Sequence, residues 1–454
     1  MLACADERSA VCGIGFASCG DCGLADAYAS CRARSSRIDG HTLGSGKADL
    51  VEQLAKLLVV GGGPAGLTAA LAARSLGIDV TLLEADPQDR ERPGSRALFV
   101  HHETLQRLQR LSPGLGEKIA GFGIMWRAVR TFYRGREVYA RQFSSQSEAG
   151  LPQYASLRQL DTERFLRDAC HAAGVTMVWA ARVQSVRADP EQVTVGTDDG
   201  RTWTARYVIA ADGSRSAVRT ALSIAMDGVR SDDYRVAVDL AQGEGSQELS
   251  ECVMHYRHSG IEQRNVLIVP FAGGIQVDVQ CRGQADSERL STPKSVRQWL
   301  PTVVSPDYLD RILWTARYPC LQRVADTFVD EHRRVLLAGE AAHLFAPLGA
   351  RGMNSSIADA EAAATAVAVA LFATSAERSR GAIEDYDRIR RQAAHHNRAC
   401  VERALRHLRA SSVRERITQA GAARLAPFVP RLGTWLHKAP YGPRGEATVS
   451  MGLY

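Results

Sequence analysis

Leu57–Val60 is a short, wholly apolar run, which predicts a strand buried on both faces. Gly61 to Gly66 follows, and an Ala/Leu-rich stretch then predicts a helix to about Ser75. A second apolar run, Val80–Leu83, ends on Glu84 and completes a strand–helix–strand unit. The same strand-then-turn pattern returns twice. Tyr207–Ala210 precedes Asp212-Gly213, and Val335–Ala338 precedes Gly339-Glu340. The last leads through a Gly/Pro-rich loop into an Ala-rich stretch that predicts a helix after Asn354.

Different material lies between the second and third signals. Val266–Phe271 is β-rich, and Ile275–Cys281 alternates apolar with polar residues, as a half-exposed antiparallel strand would. Residues 226–320 therefore read as a sheet-based substrate domain inserted in a nucleotide-binding domain made of 57–225 and 321–400. Residues 401–454 read as a C-terminal helical tail, and 1–50 as a disordered extension.

The chain has 454 residues, 45% hydrophobic and 23% charged, which fits an ordinary globular protein of two joined domains. Its net charge of +6 is too small and too dispersed to argue for nucleic acid. The Arg-rich stretch from Arg403 to Arg416 reads as the solvated face of a helix. No apolar run in the sequence approaches the ~20 residues that span a bilayer. The first ten residues lack a secretory pattern, so the cytoplasm and ten reduced cysteines are expected. Cys19 and Cys22 form a CxxC without a second pair at zinc-finger spacing, and no metal site is expected there.

Gly61-x-Gly63-x-x-Gly66 gives a tight turn, a close approach of backbone to a pyrophosphate, and close helix–strand packing. The helix it opens offers unpaired N–H groups to phosphates, and Glu84 stands where a carboxylate grips a ribose diol. Asp212 and Gly213 place a carboxylate and a turn beside the same pyrophosphate. In the third motif, Gly339 and Glu340 stand where a carboxylate holds a sugar-like chain. Pro347, Gly349, Gly352, Met353 and Asn354 form a loop that can lie against a ring system, with Asp359 beyond it. A helix N-terminus aimed at that ring would stabilise negative charge on it.

In this order the three motifs resemble the FAD-dependent aromatic hydroxylases of the para-hydroxybenzoate hydroxylase type, the group A flavoprotein monooxygenases. The resemblance covers about residues 57–400. It implies an α/β fold, a Rossmann-like FAD-binding domain with an inserted β-sheet substrate domain. It also implies FAD as cofactor, NADH or NADPH as co-substrate, and hydroxylation of an aromatic or other electron-rich small molecule by O2 through a flavin C4a-hydroperoxide. Arg96 and Gln159 match family positions that contact FAD. One departure stands out: the family usually has Asp where this chain has Glu340. No catalytic base is identified, although the Cys252–His258 stretch offers polar groups that read chiefly as packing or surface.

The resemblance implies no nucleic acid or membrane partner and leaves an oligomer open. A flavin reductase or dehydrogenase without oxygenation would carry the same motifs, and a non-enzymatic flavin-binding protein is a further reading. A flavin halogenase is disfavoured, because no two tryptophans in the sequence are two residues apart.

Overall fold

A computed structural model describes residues 55–90, 98–143, 150–243 and 250–442. Arg96 and the Cys19/Cys22 pair lie outside these residues. The elements that shape the site are, in chain order, β1 (Ala55–Val60), α1 (Pro64–Ser75), β2 (Val80–Leu83), β3 (Thr202–Ala210), β4 (Met226–Ala241), β5 (Arg264–Phe271), β6 (Gly274–Cys281), β7 (Ile312–Ala325), β8 (Val335–Leu337), α2 (Arg351–Phe372) and α3 (Ala376–Arg409).

β1 is apolar from Leu57 to Val60 because it lies between two parallel neighbours, β2 and β3. A strand covered by elements on both faces has no solvent side on which to place polar residues. β8 pairs in parallel with the C-terminal end of β3, so the three strand–turn signals of the sequence end at one edge of one sheet. α1 packs against α2, and α2 in turn against α3. α2 has the length and apolar composition of a membrane-spanning helix, contrary to the expectation that no run comes near it. It is instead a core helix, with 83% of its most apolar stretch buried inside the protein. It also starts four residues before the expected point, because Ala350 takes the left-handed conformation (φ 56°) and the helix begins at Arg351.

The second sheet has eight strands in the order His343–Leu344, β7, β4, β6, β5, Glu251–His258, Ala128–Tyr133, Arg136–Gln142. It is wider than the 226–320 segment: Ala128–Tyr133 pairs in parallel with Glu251–His258, a partner more than a hundred residues away. One face is an apolar core in which Val236, Val238, Val277 and Val279 pack against Leu290, Val296 and Trp299. Each such side chain contributes about 1.5–3 kcal/mol on burial, and a one-residue slip would put the polar set in their place.

The other face corrects the reading of β6 as half-exposed. Its alternation is real, but Gln276 and Asp278 are 4% and 6% exposed. They stand in register with Asp239 and Ala237 of β4, and Tyr318 of β7 stands opposite Arg235. The polar face is thus covered, and it lines a cavity rather than facing solvent.

The C-terminal region is likewise more than a tail. α3 runs unbroken through residue 401, and its Val401, Leu405 and Leu408 share a core with Met254 and Tyr256 of the second sheet. Arg403 and Arg406 face solvent, as the charge pattern suggested. His255 and Tyr256 do not reach the cavity; the Tyr256 hydroxyl donates to the Leu436 carbonyl (2.7 Å) and meets His407.

Candidate active site

A cavity of about 700 Å³ runs from the ends of β1 and β3 to the polar face of the second sheet. At the nucleotide end, Gly61 has φ 104° and its α-carbon sits where a Cβ would strike the Ala211 carbonyl. A Cβ on Gly66 would overlap the Gly61 carbonyl oxygen, so Gly66 lies under the turn and away from the cavity. Gly63 is different. It lines the cavity and nothing lies within 4 Å of where its Cβ would be. Gly352, at the start of α2, shows the same open space.

Glu84 is buried at the tip of β2, where the Gly62 amide and the Asp86 amide (2.9 Å) both donate to its carboxylate. This fixes the side chain at the cavity wall. Asp212 and Gly213 also line it. The Asp212 carboxylate caps the short helix Ala217–Ala221, accepting from the Ser216 hydroxyl (2.5 Å) and the Val218 amide (3.1 Å). Burial raises its pKa despite these donors. Gln159 reaches the cavity and donates to Glu163 at 2.8 Å.

The third motif divides in two. Glu340, Pro347, Gly349, Gly352 and Met353 line the cavity. Gly339 and Asn354 do not. The Asn354 amide is part of the scaffold: it accepts from the His101 amide (3.0 Å) and donates to the carbonyls of Phe99 (2.8 Å) and Ala350 (2.7 Å). Those bonds tie the first turn of α2 to the Phe99–His101 strand. Phe99 and Trp126 both line the cavity, their rings 5.3 Å apart.

Gly339 is held from below by Asp359. That carboxylate accepts from the Gly339 amide (3.1 Å), His343 Nε2 (2.6 Å) and Arg390 Nε (2.7 Å). Burial would raise the Asp359 carboxyl, but His343 and Arg390 beside it outweigh this and hold it below the usual range. His343, the one residue in the motifs with a ring suited to covalent attachment, is therefore engaged away from the cavity.

Both α1 and α2 begin without a side-chain cap, at Gly63 and Ala350. Their first amides lack intrahelical acceptors, and residues of both first turns line one cavity. The family model described as "FAD binding domain" matches residues 55–401. This chain belongs to the FAD-dependent aromatic hydroxylase family. A para-nitrophenol 4-monooxygenase from a Pseudomonas species is 30% identical over 70% of this hydroxylase-family chain and 78% of its own length. A rifampicin monooxygenase of Streptomyces venezuelae is 29% identical over 67% of this chain; the chain spans 62% of that relative. In the solved structure of the flavin-dependent monooxygenase PieE with FAD and substrate, the fold recurs with a TM-score of 0.70 at 20% identity. It covers 87% of this chain and 74% of that one.

The residues fit FAD. Gly63 and Gly352 leave side-chain-sized space on the cavity side that no protein atom fills, beside two uncapped helix N-termini suited to anionic groups. Glu340 is exposed at the rim, with no hydrogen-bond partner among the described residues. We expect Glu340→Ala to weaken FAD binding by about 1.5–3 kcal/mol, the range for a hydrogen bond to a charged group. That is about ten- to a hundredfold in Kd, read by fluorescence titration of the apoprotein. Glu340→Asp should bind about as well as the parent, and an alanine variant of unchanged affinity would remove Glu340 from the ligand set.

Sequence reasoning missed Phe99 and Trp126, and a group of cavity residues on the second sheet: Arg235, Gln276, Asp278, Trp314 and Tyr318. A signal existed. Gln276 and Asp278 share one face of a strand whose other face is wholly apolar, but nothing local distinguishes a cavity from solvent.

Proposed function

We propose that this chain is an FAD-dependent monooxygenase acting on an aromatic or other electron-rich small molecule, with NADH or NADPH as electron donor. The net reaction is substrate–H + O2 + NAD(P)H + H+ giving substrate–OH + NAD(P)+ + H2O. The observation that carries the reading is the single continuous cavity. It joins the glycine-and-helix cradle to a wall built by the second sheet, so a bound cofactor and a second small molecule would share one space. The names of the relatives, monooxygenases of nitrophenol and of rifampicin, support the same class.

Bound FAD would supply the redox chemistry and the oxygen transfer. The protein's part is to hold and shield. Gly61, Gly63 and the start of α1 would take the pyrophosphate, Glu84 a ribose, and Asp212 and Gly213 the adjoining turn. Gln159, Glu340 and the Pro347–Met353 loop would hold the remainder, with Arg96 carried from the resemblance. The amides opening α2 would favour negative charge on a reduced ring. Phe99, Trp126 and Met353 present apolar surface that keeps water out.

The purified protein should be yellow and release its flavin on acid precipitation. Phenolic compounds should stimulate NAD(P)H oxidation, and under labelled oxygen one labelled atom should enter the product. If nicotinamide is oxidised with only hydrogen peroxide formed across a broad aromatic panel, the chain is a reductase instead.

A further inference from the structure

The two helices after α3 carry large apolar residues outward and small ones inward. α4 (Val413–Leu425) opens on a capping box: the Ser412 hydroxyl accepts from the Glu415 amide (3.1 Å), and the Glu415 carboxylate accepts from the Ser412 amide (3.0 Å). α5 (Pro430–Lys438) packs against it. The buried face of α4 consists of Gln419, Ala422 and Ala423, with Gln419 donating to the His407 carbonyl at 2.7 Å. At about 3.6 residues per turn, Val413, Ile417, Gly421 and Arg424 lie on the opposite face. Val413 is 62% exposed and Ile417 66%, and Phe428, three residues past the helix, is 80% exposed. A surface helix of a globular protein turns its large apolar residues the other way. Leu425, Val429 and Trp435 are exposed as well. Single exposed apolar residues need no explanation, but six within one short stretch mark a contact surface.

The positive charge of the chain gathers in the same place. Between Glu402 and Lys438 eight Lys and Arg stand against two Glu, a net +6 that equals the net charge of the whole chain. This corrects the expectation of a dispersed excess. Arg414, Arg416, Arg424, Arg431 and Lys438 are all exposed, and none makes an ion pair among the described residues. One helix back the arginines behave differently: Arg398 reaches Asp227 (2.9 Å) and Arg409 reaches Asp233 (2.5 Å). Unpaired cations beside an apolar ridge argue against a second copy of this chain as the cover, because a twofold interface would set this cationic face against itself. A nucleic acid would meet the cations and leave Ile417 and Phe428 in water. A bilayer surface with anionic headgroups satisfies both, with phosphates for the cations and the acyl boundary for the ridge.

We propose that α4, the Phe428 turn and α5 form a docking surface by which the protein adsorbs to membranes rich in anionic phospholipid, without spanning them. Ile417 and Phe428 enter the headgroup layer, while Arg414, Arg416 and Arg424 beside them meet phosphates. This adds a partner that the family resemblance did not imply. It is independent of the monooxygenase reading, since none of these residues lines the cavity.

Full-length protein is sedimented with vesicles of phosphatidylcholine alone and with vesicles in which about one third of the lipid is phosphatidylglycerol. Wild type should bind the anionic vesicles about tenfold or more tighter than the neutral ones at about 0.1 M salt. It should lose that advantage at about 1 M, where the Debye length falls to about 3 Å. Each Lys or Arg near an anionic leaflet strengthens binding by about fivefold, so Arg414→Gln/Arg424→Gln should weaken it by about tenfold or more. Ile417→Ser/Phe428→Ser should weaken it as much, through loss of the apolar contact. All four sites are exposed, so melting temperature and flavin content should match the parent's. Wild type that does not sediment with anionic vesicles, or binds both kinds equally, overturns the proposal. So does an Ile417→Ser/Phe428→Ser variant that binds like the parent, because charge alone then explains the attraction. A wild-type dimer in solution that the same substitutions dissociate would overturn it too, by assigning the face to a second copy.

Discussion

Asp359→Ala is expected to destabilise the fold by about 3–5 kcal/mol, the cost of leaving one member of a buried ion pair without its partner. Asp359 and Arg390 are each about 1% exposed in their side chains, and Asp359 is the acceptor for Arg390 Nε. Removing the carboxylate takes the acceptor of Nε from a guanidinium buried between α2 and α3. It also takes the acceptor from His343 Nε2 and from the Gly339 amide. The Gly339–Glu340 turn would lose its anchor, so FAD affinity should fall together with stability. Urea denaturation of the apoprotein separates the two effects. Asp359→Asn keeps an oxygen for Arg390 and should lose less. Asp359→Ala/Arg390→Met removes both charges and should recover more than half the loss, because a buried pair replaced by apolar groups is often near neutral. A loss below about 1 kcal/mol for the alanine variant would mean that Arg390 finds another acceptor.

Asp359 also shows where legibility ended. The Gly61–Gly66 turn, both flanking strands and Glu84 could be read because each depends on neighbours within about one βαβ unit. The same holds for Asp212-Gly213 and Gly339-Glu340, which end strands that lie parallel in one sheet. The Asp359–Arg390 pair spans two helices, and in sequence nothing distinguishes Arg390 from its neighbours Arg388 and Arg391. Arg235 and Asp278 come together only through the register of β4 on β6. Alternation in β6 revealed two faces, yet solvent and cavity demand the same polar side chains. The motif groups Asn354 with the cofactor positions, yet its amide joins α2 to the Phe99–His101 strand and lies off the cavity. Ala128–Tyr133 pairs with a strand from the inserted segment, and nothing in its own pattern points so far along the chain.

Gly66→Ala should leave little FAD-loaded protein, and Gly63→Ala should lose flavin while keeping the fold. The two glycines sit three residues apart in one motif, yet their surroundings differ completely. A methyl on Gly66 would overlap the Gly61 carbonyl oxygen and come within 2.9 Å of its carbon, with Val59 Cγ1 at 3.4 Å behind. None of these atoms is the end of a flexible side chain. The oxygen belongs to a turn whose φ of 104° is already confined, and Val59 lies in the central strand of the sheet. Relief requires α1 to move away from β1, which opens the core between Leu67, Ala70 and the sheet. Overpacking of this kind costs about 1–3 kcal/mol where side chains can give, and a clash with backbone belongs at or above the top of that range. At Gly63 a methyl meets nothing within 4 Å, because it would enter the cavity. Apo stability should then be near the parent's, while the methyl occupies space the cofactor needs, so FAD stoichiometry should fall steeply. Thermal melts of apoprotein and flavin content per chain, measured on both variants, give opposite patterns. If Gly66→Ala melts like the parent, or Gly63→Ala retains one FAD per chain, this division of the motif into a packing glycine and a ligand glycine is wrong.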